Sequence, residues 1–109
     1  MTERVRYMRL VVFFDLPIET VAQRKEYRLF RKYLIKNGYL MMQESVYSKL
    51  AIDGKVAKTL VAKLAQNRPP EGLVQVLQVT EKQYADMVSI VGEAHNDGTV
   101  VSTDTLVVL

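Results

Sequence analysis

The acidic side chain best placed for chemistry is Asp15, which lies at the end of the run YMRLVVFFDL at residues 7–16, just before Pro17. This run is largely apolar on both faces when its residues alternate, which predicts a central β-strand. Ligands of open sheets commonly bind where strands end. Mg²⁺ usually takes one or two carboxylates together with waters and phosphate oxygens. A metal site at Asp15 therefore needs a second copy of the chain, and the alternative is an ordinary turn aspartate.

Six basic side chains on one predicted helix form a second candidate site. Thr20 and Gln23 have the spacing of a capping box, and Asn37-Gly38 is a typical helix end. A rotation of about 100° per residue places the six cations in one arc of roughly 140°. They are Arg24, Lys25, Arg28, Arg31, Lys32 and Lys36. Arginine suits bidentate contact with phosphate, so the pattern indicates a nucleic-acid backbone as partner, while a solvated charged face explains the same residues.

The charge distribution divides the 109-residue chain in two. Residues 1–50 hold ten basic and five acidic side chains, whereas residues 51–109 hold five and seven. The net charge of +3 thus combines a strongly basic first half with a weakly acidic second half. Such a division favours a polyanion as the partner of the first half.

The composition excludes several classes of site. The chain has no cysteine, which rules out disulfides, thiolate metal sites and cysteine nucleophiles and favours a cytoplasmic location. Its single histidine, His95, excludes a multi-histidine zinc site and is expected to be exposed in a polar loop. Ser45, close to Tyr47 and Ser48, has no histidine nearby to activate it, so we expect it to bond backbone at a bulge. No apolar run reaches the ~18 residues of a membrane span.

The elements that position these residues follow from apolar periodicity and turn signals. In order, the sequence predicts strand 7–16, helix 20–37, two strands within 39–50 separated by a bulge or hairpin at 43–45, helix 53–67, strand 73–80, a short helix from 80 to about 87, a brief strand 88–91 and an apolar extended tail 105–109. This is the ferredoxin-like βαββαβ plan, an α+β fold whose antiparallel sheet carries both main helices on one face. We predict one domain over 1–109, with a core at about 7–80 and a C-terminal appendage at about 81–109 that adds an extension strand.

The predicted fold leaves the other sheet face uncovered. Val11 and Phe13 lie on that face in the first strand. The last core strand contributes either Val74 and Val76 or Leu73, Leu77 and Val79. Exposed apolar faces usually pack against a partner, and a twofold homodimer is the simplest arrangement. Such a dimer would bring two copies of Asp15 together.

The residues at these two sites resemble the small, second CRISPR-associated nuclease family, in the branch found beside the large single-effector DNA nuclease. The likeness rests on VVFFDLP at 11–17, RKxYRxFRKxL at 24–34, NGY at 37–39 and QxSVY at 43–47. It is specific over residues 7–50 and looser to about residue 80.

The resemblance implies a ferredoxin-like homodimer that lies between two dimers of the CRISPR integrase subunit in the cytoplasm of a prokaryote, with no membrane involved. This heterohexamer captures duplex DNA and inserts it into the CRISPR array as a new spacer. The resemblance also implies a metal-dependent endonuclease acting on DNA or on RNA, including single-stranded RNA, with Asp15 as the catalytic residue and Mg²⁺ ligand. The apolar tail would suit docking to the integrase subunit.

Two other functions compete with spacer acquisition. One is a freestanding metal-dependent endoribonuclease that uses Asp15. The other is a ferredoxin-like regulatory dimer that binds a small ligand, although no glycine-rich loop joins the first strand to the first helix. An RNA-recognition module is disfavoured, because the strand LVQVLQVT at 73–80 lacks stacking aromatic residues.

Overall fold

A four-stranded antiparallel sheet organises the chain, whose computed structural model describes residues 6–92. The strands are β1 (Met8–Asp15), β2 (Leu40–Gln43), β3 (Val46–Ala51) and β4 (Leu73–Thr80), and the helices are α1 (Val21–Lys36), α2 (Gly54–Gln66) and α3 (Glu81–Ala85). The strand order β2-β3-β1-β4 places β1 at the centre with a hydrogen-bonded neighbour on each edge. The predicted ferredoxin-like α+β plan is therefore confirmed. Among the helices of the described residues, none is long and apolar enough to cross a membrane.

Helix α1 begins and ends where its local signals predict. The Thr20 hydroxyl accepts a hydrogen bond from the Gln23 amide at 3.0 Å, and Oε1 of Gln23 accepts one from the Thr20 amide at 3.0 Å. This reciprocal capping box satisfies amide groups that the first turn leaves without partners. Phe30 and Leu34, four residues apart, are the side chains that α1 buries against the sheet.

Helix α2 packs beside α1 on the same sheet face. Its first turn is capped by the Asp53 carboxylate, which accepts a hydrogen bond from the Val56 amide at 2.8 Å. Leu64 joins the core formed by α1 and β1, while Ala57 packs with Leu10 and other residues in a second buried cluster. The two helices thus form one layer, called here the helical layer.

Phe14 of β1 links the helical layer to the sheet. Its ring lies 5.3 Å from that of Phe30 and 5.7 Å from that of Tyr47, measured between centroids. Aromatic pairs at this separation add to the energy of apolar burial. Tyr47 of β3 is fully buried, so this cluster fixes β1, β3 and α1 relative to one another.

The hairpin between β2 and β3 contains both features that the sequence left as alternatives. The β2–β3 register shifts between Met41 and Gln43, which marks a bulge, and residues 44–45 form the turn. The Ser45 carbonyl, at this turn, accepts a hydrogen bond from the Phe14 amide at 3.1 Å. Ser45 therefore contributes its backbone, and the hairpin turn lies beside the end of β1.

Helix α3 covers the first part of the sheet face opposite the helical layer, called here the open face. Arg9 donates from Nε and Nη2 to the Glu81 carboxylate at 2.9 and 2.7 Å, and its guanidinium lies 4.3 Å from the centroid of the Tyr84 ring. The Tyr84 hydroxyl lies 3.3 Å from Oγ of Ser48, the cross-strand partner of Val11. As a consequence, Val11 is buried in the single chain, although the sequence places it on an uncovered face.

The C-terminal appendage differs from the prediction. Helix α3 ends at Ala85 instead of at about residue 87, and the predicted strand at 88–91 is wrong, because these residues form no ladder with a strand of the described chain. Val88 and Val91 are exposed instead. The predicted tail at 105–109 and His95 lie outside the described residues.

Gly72 fixes the loop before β4 against the end of β1. Its φ of +97° is costly for any residue with a side chain, and a Cβ there would lie 2.8 Å from the Asp15 carbonyl oxygen and 2.8 Å from Leu16. We expect Gly72→Ala to lower the free energy of unfolding by roughly 2–5 kcal/mol, because strain and overpacking add. Chemical denaturation measures this decrease.

Gly38→Ala is the matched control for this prediction. Gly38 has a similar φ of +86°, but the atom that its Cβ would meet is the flexible Lys49 Nζ. The decrease in its free energy of unfolding should stay at roughly 1–2 kcal/mol, the cost of backbone strain alone. Equal decreases in the two variants would contradict a close approach at Gly72.

Candidate functional site

Asp15 is held at the end of β1 by its backbone. It pairs with Leu73 of β4 on one edge, and the Ser45 carbonyl of the hairpin turn bonds the preceding residue on the other. Alternation along β1 places Asp15 on the same face as Phe13, the open face. Its side chain is exposed, and no hydrogen bond from the described residues reaches its carboxylate. The carboxylate is therefore available to a ligand.

One chain does not supply a complete metal site at Asp15. No group of three acidic, histidine or cysteine side chains converges anywhere in the described part of the chain. A single carboxylate fits Mg²⁺ only with further ligands from water, a nucleic-acid phosphate or another chain. The donor set thus fits the metal only if a second Asp15 or a substrate completes it.

The six basic residues predicted on α1 are all exposed. The structure divides them into two rows, because residues three, four or seven apart lie on one side of a helix. Arg24, Arg28 and Arg31 form the first row, and Arg31 reaches Tyr47, so this row lies on the β3 side of α1. Lys25, Lys32 and Lys36 form the second row. We call the first row the arginine row.

Two members of the arginine row are held by neutral acceptors. Arg24 donates from Nη1 to the carbonyl oxygens of Ile18 and Glu19 at 3.1 and 3.0 Å. Arg31 donates from Nε to the Tyr47 hydroxyl at 2.9 Å. Neither partner is a carboxylate, so both guanidinium groups are fixed without their charge being neutralised.

Arg31 is also shifted electrostatically. Its hydrogen bond to Tyr47 is the main cause that raises the pKa of the guanidinium, followed by the charge interaction with the same phenol. Arg31 therefore stays fully charged at every pH at which the protein is folded. Tyr47 itself is a buried acceptor and takes no part in an exposed Ser-Tyr site.

Helix α2 adds basic residues that reasoning from sequence halves did not select. Lys55, Lys58 and Lys63 are exposed, and α2 contains no acidic residue. Together α1 and α2 hold nine basic side chains and one acidic side chain, Glu26. Counting charge by helix instead of by chain half would have revealed this pattern. The positive charge belongs to the helical layer as a whole.

The uncovered part of the open face is apolar. Phe13 is 39% exposed, and Leu73 and Leu77 of β4 are more than half exposed. Of the two sets considered for β4, these residues and Val79 are the ones on this face, because Val74 and Val76 pack into the cores. This patch borders Asp15, its neighbour on β1.

A shallow cavity of about 220 Å³ lies between the helices. Glu26 and Tyr33 of α1 line it together with Asn67 and Arg68 after α2. Asp15 does not line it, and none of the six predicted basic residues does so. This cavity is therefore separate from both candidate sites.

Comparison with known proteins identifies the family. The family model described as CRISPR associated protein Cas2 matches residues 8–87. A relative from Treponema denticola named CRISPR-associated endoribonuclease Cas2 is 53% identical over 90 residues, which is 83% of this chain and 89% of the relative. A relative of the same name from Streptococcus mutans is 41% identical over 101 residues, 93% of this chain and 91% of the relative.

A solved structure supports the fold. The structure described as "Crystal structure of cas2" superposes with a TM-score of 0.50 and covers 88% of this chain and 99% of its own. Its sequence identity of 17% restricts that comparison to the fold. The family model and the close relatives, in contrast, match the segments that carry both candidate sites. The chain belongs to the CRISPR-associated protein Cas2 family, a CRISPR-associated nuclease family.

Proposed function

We propose that this chain is a homodimer that binds duplex prespacer DNA through α1 and bridges two integrase dimers during spacer acquisition in the prokaryotic cytoplasm. The observation that carries the proposal is the arginine row, in which Arg24 and Arg31 are held by neutral oxygens and keep their full charge. Phosphate oxygens are the natural counter-charge for such a row, and backbone contact needs no base-reading side chains.

The uncovered patch of the open face supports the dimer. Phe13, Leu73 and Leu77 would be removed from water by a second copy, while the buried Arg9–Glu81 pair leaves that patch free. Pairing through these faces puts the helical layers on the two outer sides. A duplex that touches both α1 helices therefore passes across the flank of the dimer.

The arginine row provides the first test of this function. We expect the triple variant Arg24→Ala, Arg28→Ala, Arg31→Ala to bind duplex DNA at least roughly tenfold more weakly at moderate salt, uniformly across sequences. The slope of log affinity against log salt should fall by about 0.9 for each phosphate that the variant no longer neutralises. Fluorescence anisotropy over a salt series measures both quantities.

The α2 lysines supply a control with the same change of charge. The triple variant Lys55→Ala, Lys58→Ala, Lys63→Ala also removes three positive charges from the helical layer. It should weaken binding less, because it lowers only the surrounding potential. Equal weakening by the two variants would mean that net charge alone drives binding, and unchanged binding by the arginine variant would exclude α1 as the DNA-binding element.

The dimer is tested at the open face. Phe13→Arg would bury an unpaired charge at the interface, so we expect it to weaken association by at least roughly 100-fold. Light scattering at micromolar concentration should then find a single copy. The control is Ile52→Arg, because Ile52 is 57% exposed and lies outside the sheet strands. A dimeric Phe13→Arg protein with unchanged affinity would contradict this interface.

A second candidate function is Mg²⁺-dependent cleavage of RNA or DNA. Its support is the exposed Asp15 carboxylate, free of hydrogen bonds within the described residues and adjacent to the patch proposed for the dimer. Two copies of Asp15 would hold the metal, which when bound supplies an activated water and stabilises charge on the phosphate. The named relatives are called endoribonucleases, so single-stranded RNA is the first substrate to test.

Asp15→Asn separates cleavage from DNA binding. It keeps the size of the side chain but removes its charge, and removal of a metal ligand should lower Mg²⁺-dependent cleavage by more than about 100-fold. Duplex affinity should stay unchanged, since Asp15 lies on the face opposite α1. Asp86→Asn, at the exposed end of α3, is the control. Full cleavage by the Asp15→Asn protein would remove Asp15 from the chemistry.

A further inference from the structure

We propose that Tyr47 is a positioning residue, which holds Arg31 in the conformation that binds a phosphate of duplex DNA. This inference rests on the proposed function of α1. Tyr47 lies in the QxSVY segment, and its role as a buried anchor for a basic residue follows from the hydrogen bond between its hydroxyl and Nε of Arg31 at 2.9 Å.

The anchor is rigid, because the tyrosine cannot move without disturbing the core. Tyr47 has no exposed surface and pairs with Val12 of β1 and Met41 of β2 across the sheet. Its ring also packs against Phe14. A hydroxyl fixed in this way restricts the exposed side chain that bonds to it, and a restricted side chain loses less freedom when it binds a ligand.

The chemistry of the contact leaves Arg31 competent for phosphate. The hydrogen bond uses Nε, so the two terminal amino groups of the guanidinium remain for a bidentate contact. The acceptor is a neutral phenol, so the charge remains as well. Arg9 shows the opposite arrangement, in which the Glu81 carboxylate takes both Nε and Nη2 and neutralises the guanidinium.

Satisfying a buried hydroxyl is the competing explanation of the contact. Tyr39 belongs to the same buried cluster, is 4% exposed, and its hydroxyl has no hydrogen-bond partner among the described residues. Burial also raises the pKa of Tyr39 to about 12. The core therefore accommodates one tyrosine hydroxyl without an arginine, so burial alone does not require the contact at Tyr47.

A double-mutant cycle tests the proposal. Tyr47→Phe removes only the hydroxyl, and we expect it to weaken binding of a short blunt DNA duplex by roughly three- to tenfold. In the background of Arg31→Ala the same substitution should have no further effect, because the side chain that Tyr47 positions is gone. Fluorescence anisotropy at one fixed salt concentration gives the four affinities.

Tyr39→Phe is the matched control. It also removes one hydroxyl from a tyrosine of the same core, but no basic residue of α1 bonds to that hydroxyl. It should leave duplex affinity unchanged and leave stability unchanged or raised, since it removes an unsatisfied buried group. An equal decrease of affinity in Tyr39→Phe would assign the effect to the core and overturn the proposal.

The outcomes separate this inference from the proposed function. If Arg31→Ala weakens binding and Tyr47→Phe does not, the positioning role is wrong and the DNA-binding function stands. The role is also wrong if Tyr47→Phe weakens binding equally in the presence and absence of Arg31. If Arg31→Ala leaves binding unchanged, Arg31 contributes nothing to the DNA surface and the positioning role fails with it.

A measurement on the unaltered protein covers the case in which Tyr47→Phe does not fold. The Nε–H proton of Arg31 should exchange with water at least roughly tenfold more slowly than that of Arg28, which lies in the same row without a hydrogen-bond partner among the described residues. ¹⁵N-resolved NMR of the free dimer measures both rates. Equal exchange rates would show that Arg31 is not held before DNA binds and would overturn the proposal.

Discussion

Strand β1 is the element on which the other parts depend, because it is hydrogen bonded on both edges and covered unequally on its two faces. The helical layer buries Leu10, Val12 and Phe14 on one side along its whole length. On the other side α3 covers only the first part, through the Arg9–Glu81 pair. A paired charge of this kind is costly to break, so α3 is held at that position. The uncovered remainder of β1 is what the protein can offer to a second chain.

The helical layer shows how a charged surface can be ordered without being neutralised. Carbonyl oxygens hold Arg24 and a phenol holds Arg31, while the one acid on α1 and α2, Glu26, lies beside the cavity between the helices. A layer balanced for solubility alone would mix charges of both signs more evenly. The combination of fixed geometry and uncompensated charge favours a polyanion that binds along α1 over a plain solvated surface.

Local signals predicted the elements, and contacts between distant residues determined what could not be predicted. Thr20 and Gln23 specify the start of α1 because both partners lie within one turn. The position of α3 depends on Arg9 and Glu81, which are 72 residues apart, and no spacing rule connects them. The same limit applies to the site. Asp15 and the cations of α1 were visible in the sequence, whereas the bond between Arg31 and Tyr47 required the packing of α1 on β3.

The two proposed activities use opposite faces of the sheet, and this separates them physically. The arginine row belongs to the helical layer, whereas Asp15 and Phe13 lie on the open face. Dimerisation through the open face would place both Asp15 carboxylates between the subunits and both α1 helices outside. A duplex held by α1 is then remote from the carboxylates, so binding requires no cleavage. A strand that is cut must enter from the end of β1, past the hairpin turn at residues 44–45, which suits single-stranded substrates better than a rigid duplex.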